Sequence, residues 1–153
     1  LELLYGSGMR VSEITNLKKE DLSLEKNIGW VRQGKGNKDR IFIIPEQLKE
    51  KIRLHLVKER DCIYVFAGRN NKQLHIRTVQ EIIKHAARKA NIRKRVHPHT
   101  LRHSFATHLV ENGYDITQVQ SLLGHSSLRT TMVYVHMADP KITSVTSPYD
   151  DLA

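Results

Sequence analysis

Apolar residues recur at helical spacing through most of the chain. The segments that show this period are residues 1–17, 46–60, 78–90 and 100–112. In the first of them, Gly-Ser-Gly at residues 6–8 interrupts the pattern, which predicts a helix, a tight turn and a second helix. Pro45 stands where a helix start tolerates proline. Gly113 follows the last of these segments and is a suitable C-cap.

Two shorter runs carry a different pattern. Residues 28–31 and 40–44 are rich in β-branched and aromatic side chains, and the sequence Gly-Lys-Gly-Asn-Lys-Asp lies between them at residues 34–39. Glycine and asparagine between two such runs are typical of a β-hairpin. The sequence therefore predicts two antiparallel strands with a lysine-bearing tip.

The carboxyl-terminal part of the chain is helical and then irregular. Asp115 is a suitable cap for a short helix that ends at Gly124, and a further helix is predicted from about Ser127. Residues 137–153 contain two prolines and few apolar positions, which is typical of a tail or linker. The predicted fold class is therefore mainly α with a small antiparallel β-sheet.

The composition limits the kinds of protein that the chain can be. Its 153 residues suit one domain with one core. The single Cys62 cannot form an internal disulfide, which favours a reducing compartment and hence the cytoplasm. We expect no membrane partner, because no apolar run approaches the roughly 20 residues that span a bilayer. The chain begins at Leu1, within a helical pattern, so we expect that an upstream segment is missing.

Positive charge is concentrated in one interval. Lys and Arg number 25 against 16 Asp and Glu, a formal net charge of +9, and no acidic residue lies between Glu81 and Glu111. The basic residues of this interval are Lys84, Arg88, Lys89, Arg93, Lys94, Arg95 and Arg102. Such a cluster is expected of a surface that binds a polyanion. A solvated basic helix face is the alternative interpretation.

Four histidines and one arginine fall within residues 97–109. His99 and His103 are four apart and could share a metal ion. A zinc-protease helix would need a glutamate next to the first histidine, and here Thr100 follows His99. With no carboxylate or cysteine nearby and Arg102 beside them, these histidines form a poor cation site, so we expect no metal.

A phosphate site fits the same segment better. His99 and Arg102 are three apart and share a helix face, while an apolar row at four-residue spacing lies beside them, formed by Leu101, Phe105 and Leu109. We expect the apolar row to anchor the helix and the polar row to point outward. An arginine held in this way can offer its planar fork to two phosphate oxygens, with an imidazole beside it.

Four sequence boxes together resemble a known family. In order they are GSGMRVSEI, GKGNKDR, HPHTLRHSFATHL and LGHSSLRTTMVYVH. They resemble the catalytic domain of the tyrosine recombinases, or phage integrases, and most of all the Xer-type enzymes that resolve chromosome dimers. The resemblance covers residues 1–137, which would be the catalytic domain. Residues 138–153 would be a carboxy-terminal tail, which related recombinases commonly lend to a neighbouring protomer, and the family's amino-terminal DNA-clamping domain is not matched.

The resemblance implies a set of site residues and a mode of action. The catalytic residues would be Arg10, Lys35, His99, Arg102, His125 and the nucleophile Tyr134, supported by Glu13. It implies site-specific recombination through a 3′-phosphotyrosyl intermediate, for chromosome-dimer resolution or for phage-like integration and excision. No cofactor is implied. The implied partners are a double-stranded recombination site and other recombinase protomers, as a homo- or heterotetramer on DNA.

The chemistry of phosphodiester cleavage calls for side chains of these types. Two guanidiniums from different segments suit the charge on the non-bridging oxygens of the transition state. A tyrosine with a pKa of about 10 needs a base or strong anion stabilisation to attack at neutral pH. His99 would help to take its proton, His125 would bind a non-bridging oxygen, and Lys35 would protonate the departing 5′ oxygen.

Further basic residues are candidates for contacts with DNA. They are Lys38, Arg40, Arg77, Lys84, Arg88, Arg93, Lys94 and Arg95. We also expect that the DNA-free protein holds Tyr134 away from the site while Arg10, His99 and Arg102 converge on one pocket.

Each assignment has a plainer alternative. Arg10 and Glu13 could be a surface ion pair of one helix, and both hairpin lysines could be ordinary turn residues. His125 could begin a turn, and Tyr134 could be a core tyrosine. For the whole chain, residues 100–123 could form the helix-turn-helix of a regulator without chemistry. A type IB topoisomerase, which uses similar chemistry on one strand, is the other alternative.

Overall fold

The computed structural model describes residues 1–32, 39–59, 61–124 and 131–132 of the chain. In these ranges the helices are α1 (Glu2–Gly6), α2 (Val11–Asn16), α3 (Lys49–Lys58), α4 (Ile76–Lys89), α5 (Pro98–Glu111) and α6 (Ile116–Leu123). The strands are β1 (Leu22–Ser23), β2 (Ile28–Val31) and β3 (Arg40–Ile43). Short 3₁₀ turns lie at Lys19–Asp21, Glu46–Leu48 and Arg69–Asn71. A mainly helical fold with a small sheet is therefore confirmed.

The sheet is antiparallel in the order β1, β2, β3. β2 and β3 pair as the predicted hairpin, with Ile28 opposite Ile43 and Val31 opposite Arg40. The two-residue strand β1 was not predicted, because two residues are too few to show alternation. The hairpin tip, residues 33–38, lies outside the described residues.

The helices begin close to the predicted positions. The helix predicted from Glu46 starts as a 3₁₀ turn and becomes α3 at Lys49, and capping explains the earlier starts of α4 and α5. α5 begins at Pro98 rather than at residue 100, because proline lacks only an N–H that the first turn leaves unbonded. α4 begins at Ile76 rather than at residue 78, because the His75 ring accepts from the backbone N–H of Arg77 at 3.1 Å. Of the helix predicted from Ser127, the structure describes residues 131–132 alone, and these are helical.

Two apolar clusters hold these elements together. The larger one joins α1, α2, the sheet, α3 and α4 around Leu4, Met9 and Phe42. The smaller one joins α5 to α6 through Phe105, Ala106, Val119 and Leu123, with Leu109 packed against it. The predicted apolar row of α5 is therefore an anchor, as expected. Because α5 also packs on α1, and α6 on β3, the start of α2, the base of the hairpin and the end of α6 come together.

None of the helices in the described part of the chain is both long enough and apolar enough to cross a lipid bilayer.

Candidate active site

The first site residues lie at the start of α2. Arg10 is the residue that precedes the helix, and its backbone N–H donates to Glu13 Oε2 at 2.7 Å. Its side chain forms an ion pair with the same carboxylate, with Nη1 2.7 Å from Glu13 Oε1. Arg10 and Glu13, which are three residues apart, therefore form the ion pair that their spacing permits. The carboxylate also lies in the first helical turn, where the helix dipole favours negative charge.

A second guanidinium binds the same carboxylate from another segment. Arg40, the first residue of β3, places Nη2 2.6 Å from Glu13 Oε2, and the two side chains are 9% and 6% exposed. Arg40 Nη1 donates to the carbonyl oxygen of Leu122 in α6 at 2.7 Å. Glu13 thus joins the start of α2 to the base of the hairpin. Arg40 was expected to contact DNA, but in this structure its guanidinium is turned into the protein.

Burial and charge act against each other in this cluster. Burial raises the pKa of the Glu13 carboxyl, but the charge of Arg40 and the hydrogen bonds from Arg10 outweigh it, so this pKa lies below its ordinary value. Burial lowers the pKa of the Arg40 guanidinium, and Glu13 only partly offsets that effect. The Glu13 carboxyl is therefore ionised at neutral pH, and a guanidinium stays protonated in proteins. Each of these two buried charges is compensated by the other.

Arg102 of α5 is the most buried of the candidate arginines, with 4% of its surface exposed. Nη1 donates to the carbonyl oxygen of Gly8 at 2.6 Å, and Nη2 donates to that of Leu123 at 2.5 Å. The expectation that the polar row of α5 points outward is therefore wrong for Arg102. Helix spacing cannot reveal that the α1–α2 turn and the end of α6 cover this part of α5 with carbonyl groups that accept from Arg102.

His99 lies one turn earlier on α5 and is exposed. Its ring stands edge-on to that of His97, with centroids 6.2 Å apart. For this member of the row, the outward orientation is confirmed.

The end of α6 is held by two arginines from different segments. The carbonyl group of Leu122 accepts a hydrogen bond from Arg40, and that of Leu123 accepts one from Arg102. These carbonyl groups are among those that a helix end leaves without helical partners, and the helix dipole makes them favourable to cations. Gly124 ends the helix at φ +62°, and a Cβ there would lie 2.5 Å from Arg40 Cδ. The helix therefore ends in a backbone conformation, beside the Arg40 side chain, that disfavours any residue with a Cβ.

A polar cleft of about 530 Å³ opens beside Arg10 and Glu13. It is lined further by residues of α2, the following turn and β2, among them Lys18, Trp30 and Arg32. Neither His99 nor Arg102 is among the described residues that line this cleft. The structure links Arg10 to Arg102 through the Gly8 carbonyl, two residues before Arg10. The convergence of all three side chains on one pocket stays a prediction.

Six predicted DNA contacts lie on the surface in and around α4. They are Arg77, Lys84, Arg88, Arg93, Lys94 and Arg95, and all are exposed. The last five line one groove of about 440 Å³ between α4 and residues 92–96. Lys84 pairs with Glu81 at 2.6 Å. Glu81 is the one carboxylate among the described residues that line the groove, so the groove is a concentrated positive surface.

The remaining candidates lie outside the described residues. They are Lys35, Lys38, His125 and Tyr134. Their roles, and the expected displacement of Tyr134, stay predictions. In the part of the chain that the structure describes, no three His, Cys, Asp or Glu side chains are grouped so as to hold a metal ion.

Sequence reasoning missed the contact between Arg40 and Glu13, which are 27 residues apart. It also missed the role of Gly8 as the acceptor for Arg102. A strand-initial arginine after a lysine-rich hairpin was a signal for charge near the site, but it did not reveal its partner.

Comparison with known proteins places the chain in a family. The phage integrase family matches residues 1–141. The chain is 49% identical over 139 residues to tyrosine recombinase XerA of Pyrococcus furiosus, covering 88% of this chain and 48% of that protein. It is 43% identical to a tyrosine recombinase of Thermosipho africanus, covering 91% of this chain and 49% of the relative. The chain thus spans about half the length of these relatives.

Solved structures agree with the sequence relatives. A crystal structure of XerA recombinase superposes with a TM-score of 0.82 at 39% identity, covering 90% of this chain and 52% of that one. A structure of the XerH site-specific recombinase, bound to palindromic difH substrate in a post-cleavage complex, gives a TM-score of 0.81 at 26% identity, covering 97% and 44%. By its family match, its relatives and its fold, this chain belongs to the phage integrase family, the tyrosine recombinases.

Proposed function

We propose that this chain carries out site-specific DNA recombination by cleaving and rejoining strands through a 3′-phosphotyrosyl intermediate, with Tyr134 as the nucleophile. The observation that carries the proposal is the arginine cluster. Arg10, Arg40 and Arg102 come from three separate segments and are tied together through Glu13 and the end of α6. In a member of the tyrosine recombinase family, such a cluster suits a phosphate transition state.

The arginines would act on the charge of the reacting phosphate. Attack on a phosphodiester builds negative charge on two non-bridging oxygens, and groups that are already oriented stabilise it without reorganisation. Arg10 keeps 21% of its side chain exposed at the mouth of the polar cleft, so it can reach a phosphate there. Arg102 is fixed by two carbonyl groups, and its buried charge acts at low effective dielectric. His125 would donate to a non-bridging oxygen.

Proton transfers would complete the reaction. The Tyr134 hydroxyl loses its proton to His99 as its oxygen bonds to phosphorus, and the P–O bond to the 5′ oxygen breaks. Lys35 gives a proton to that leaving oxygen. The phosphotyrosyl bond keeps the free energy of the broken linkage, so the reverse reaction with another 5′ hydroxyl rejoins a strand. None of these steps calls for a cofactor or a metal.

Double-stranded DNA is the proposed partner. A similar recombinase of 26% identity has been solved on its difH substrate, and the basic groove of α4 supplies charge for a phosphate backbone. We further propose that two or more protomers assemble on the site, as recombination of two duplexes needs several cleavage events. The biological task would be chromosome-dimer resolution, with integration or excision as the alternative, and the site of action would be the cytoplasm.

Covalent capture tests the proposal directly. The protein is incubated, in excess EDTA, with a pool of nicked duplexes of randomised sequence, and the products are separated on a denaturing gel. We expect a protein–DNA adduct in the unsubstituted protein and in the control Tyr114→Phe, a residue that is 54% exposed. Tyr134→Phe should bind DNA and form no adduct.

The same experiment separates the alternatives. An adduct that persists in Tyr134→Phe contradicts the nucleophile assignment, and cleavage abolished by EDTA indicates a metal-dependent enzyme. DNA binding without an adduct in any variant indicates a regulator. With duplexes recovered from the adduct, strand exchange between two sites identifies a recombinase, whereas relaxation of supercoils without exchange identifies a topoisomerase.

A further inference from the structure

Arg40 occupies a junction between the segments that carry the proposed catalytic residues. It is the first residue of β3, directly after the hairpin tip that contains Lys35. It pairs with Glu13, which also holds Arg10, and it donates to the carbonyl group of Leu122, three residues before His125. One guanidinium thus connects three separate parts of the proposed site.

The surroundings of Arg40 favour a fixed position. Its side chain is 9% exposed, and that of Glu13 is 6% exposed, so their ion pair is shielded from solvent. The two amino groups of the guanidinium point to acceptors on different elements, at 2.6 and 2.7 Å. A Cβ at Gly124 would overlap the Arg40 side chain, so the end of α6 is built closely against it. A lysine offers one ammonium in place of a planar fork and cannot reproduce both contacts with the same geometry.

We propose that Arg40 is a positioning residue for strand cleavage, which holds Glu13 with Arg10, the base of the hairpin and the end of α6 in place without itself contacting the reacting phosphate. The proposal rests on the proposed function of the chain, and it replaces the sequence-based expectation that Arg40 binds DNA. The arginines of the α4 groove are exposed, so their donors can reach a DNA backbone. The two amino groups of Arg40 instead bind a carboxylate and a carbonyl group, and its Nε is buried.

Two substitutions distinguish positioning from DNA binding. Arg40→Lys keeps the positive charge, and Arg40→Met keeps the length of the side chain without charge. Adduct formation is timed at saturating concentrations of a nicked duplex selected by the unsubstituted protein. We expect both variants to form the adduct roughly 10- to 100-fold more slowly, because small misplacements of reacting groups have effects of this size. The duplex concentration for half-saturation should stay within about twofold of the unsubstituted value in both.

A matched control and a coupled variant exclude a general loss of structure. Arg53 also pairs with two carboxylates, those of Glu50 and Glu25, but its side chain is 47% exposed. Arg53→Met should form the adduct at the normal rate. Each variant is assayed well below its measured unfolding temperature. If Arg40 acts through Glu13, the double variant Glu13→Gln, Arg40→Met should be little slower than the slower single variant.

The outcomes are distinct. A normal adduct rate in both Arg40 variants overturns the positioning role and leaves the proposed function intact. A normal rate in Arg40→Lys, with weaker duplex binding in Arg40→Met, also overturns it and returns Arg40 to the DNA contacts. No adduct in the unsubstituted protein overturns the proposed function and with it any catalytic part for Arg40.

Discussion

Arg102 donates a hydrogen bond from Nη1 to the carbonyl oxygen of Gly8 over 2.6 Å, although 94 residues separate the two in the chain. The bond ties the first half of α5 to the turn that leads into Arg10. A second bond, from Nη2 to the Leu123 carbonyl, ties the same guanidinium to the end of α6. Arg102, which was expected to bind a phosphate, thus also connects the elements that form the site.

Replacing Arg102 should therefore reduce stability as well as activity. We expect Arg102→Met to lower the free energy of unfolding by about 2–4 kcal/mol, because two buried carbonyl groups lose a charged donor. The exposed Arg77→Met is the control and should change it by less than about 0.5 kcal/mol. Urea unfolding followed by circular dichroism measures both. An Arg102→Met protein as stable as the control would mean that the carbonyl contacts contribute little.

Gly8 and Gly113 should differ in their tolerance of alanine. Gly8 has φ +60°, and a Cβ there would lie 2.3 Å from the Phe105 ring, whereas Gly113 has φ +82° with no heavy atom within 4 Å. Gly113→Ala should cost about 1–2 kcal/mol of backbone strain alone. Gly8→Ala should cost about 3 kcal/mol or more, because overpacking adds to the strain. Thermal unfolding compares the two variants, and equal losses would contradict the close packing of Gly8 on Phe105.

The ion pairs of Glu13 should make stability depend on pH in the acid range. The pKa of Glu13 in the folded protein lies below its ordinary value of 4.5, despite burial, because of Arg40 and Arg10. Its contribution is therefore complete above that ordinary value and is lost as the pH falls through the folded pKa. The stability gap between the unsubstituted protein and Glu13→Gln should be widest near neutral pH and should narrow below about pH 4.5.

Urea unfolding at a series of pH values measures this gap. Glu50→Gln is the control, since Glu50 also pairs with an arginine but its side chain is 65% exposed. It should change stability by less than about 1 kcal/mol at any pH. A gap for Glu13→Gln that does not vary with pH would show that ionisation of Glu13 is not what stabilises the site.

Substitution of the two hairpin lysines should have different effects on the cleavage rate, and a substrate whose leaving group needs no proton should reveal this. Lys35→Ala should slow cleavage of a normal 5′-oxygen linkage. A bridging 5′-phosphorothiolate should restore much of the rate, because its sulfur leaves without protonation. Lys38→Ala serves as the control and should change little on either substrate. Rescue of Lys38→Ala alone would assign the acid role to the other lysine.

The basic groove should bind phosphates in a way that depends on salt. Replacing Arg93, Lys94 and Arg95 by glutamine should weaken binding to duplexes of any sequence. It should also reduce the slope of log affinity against log salt by roughly 0.9 for each phosphate that the groove no longer neutralises. The control is the equally charged triple change of Lys51, Arg53 and Lys58 in α3, all exposed. Fluorescence anisotropy titrations at several salt concentrations measure both, and equal slopes would show that net charge alone drives binding.

The local part of this protein could be predicted from its sequence. Apolar periodicity located the helices within a few residues, and the β-hairpin followed from two β-branched runs around a glycine-rich tip. The ion pair of Arg10 with Glu13 was visible as a three-residue spacing, and the order of the four boxes indicated the family. Each of these signals depends on residues within one helical turn or across one hairpin, where geometry is nearly independent of the rest of the fold.

The tertiary structure alone decided how the arginines are used. Arg102 and Arg40 look alike in the sequence, as basic residues in polar surroundings, and both were expected to face a polyanion. Their acceptors lie 94 and 21 residues from Arg102, and 27 and 82 residues from Arg40. Most of these acceptors are carbonyl groups, which every residue carries, so no side-chain pattern marks them. They become binding partners only where the packing of α1, α5, α6 and β3 buries a turn and a helix end whose backbone groups need a donor.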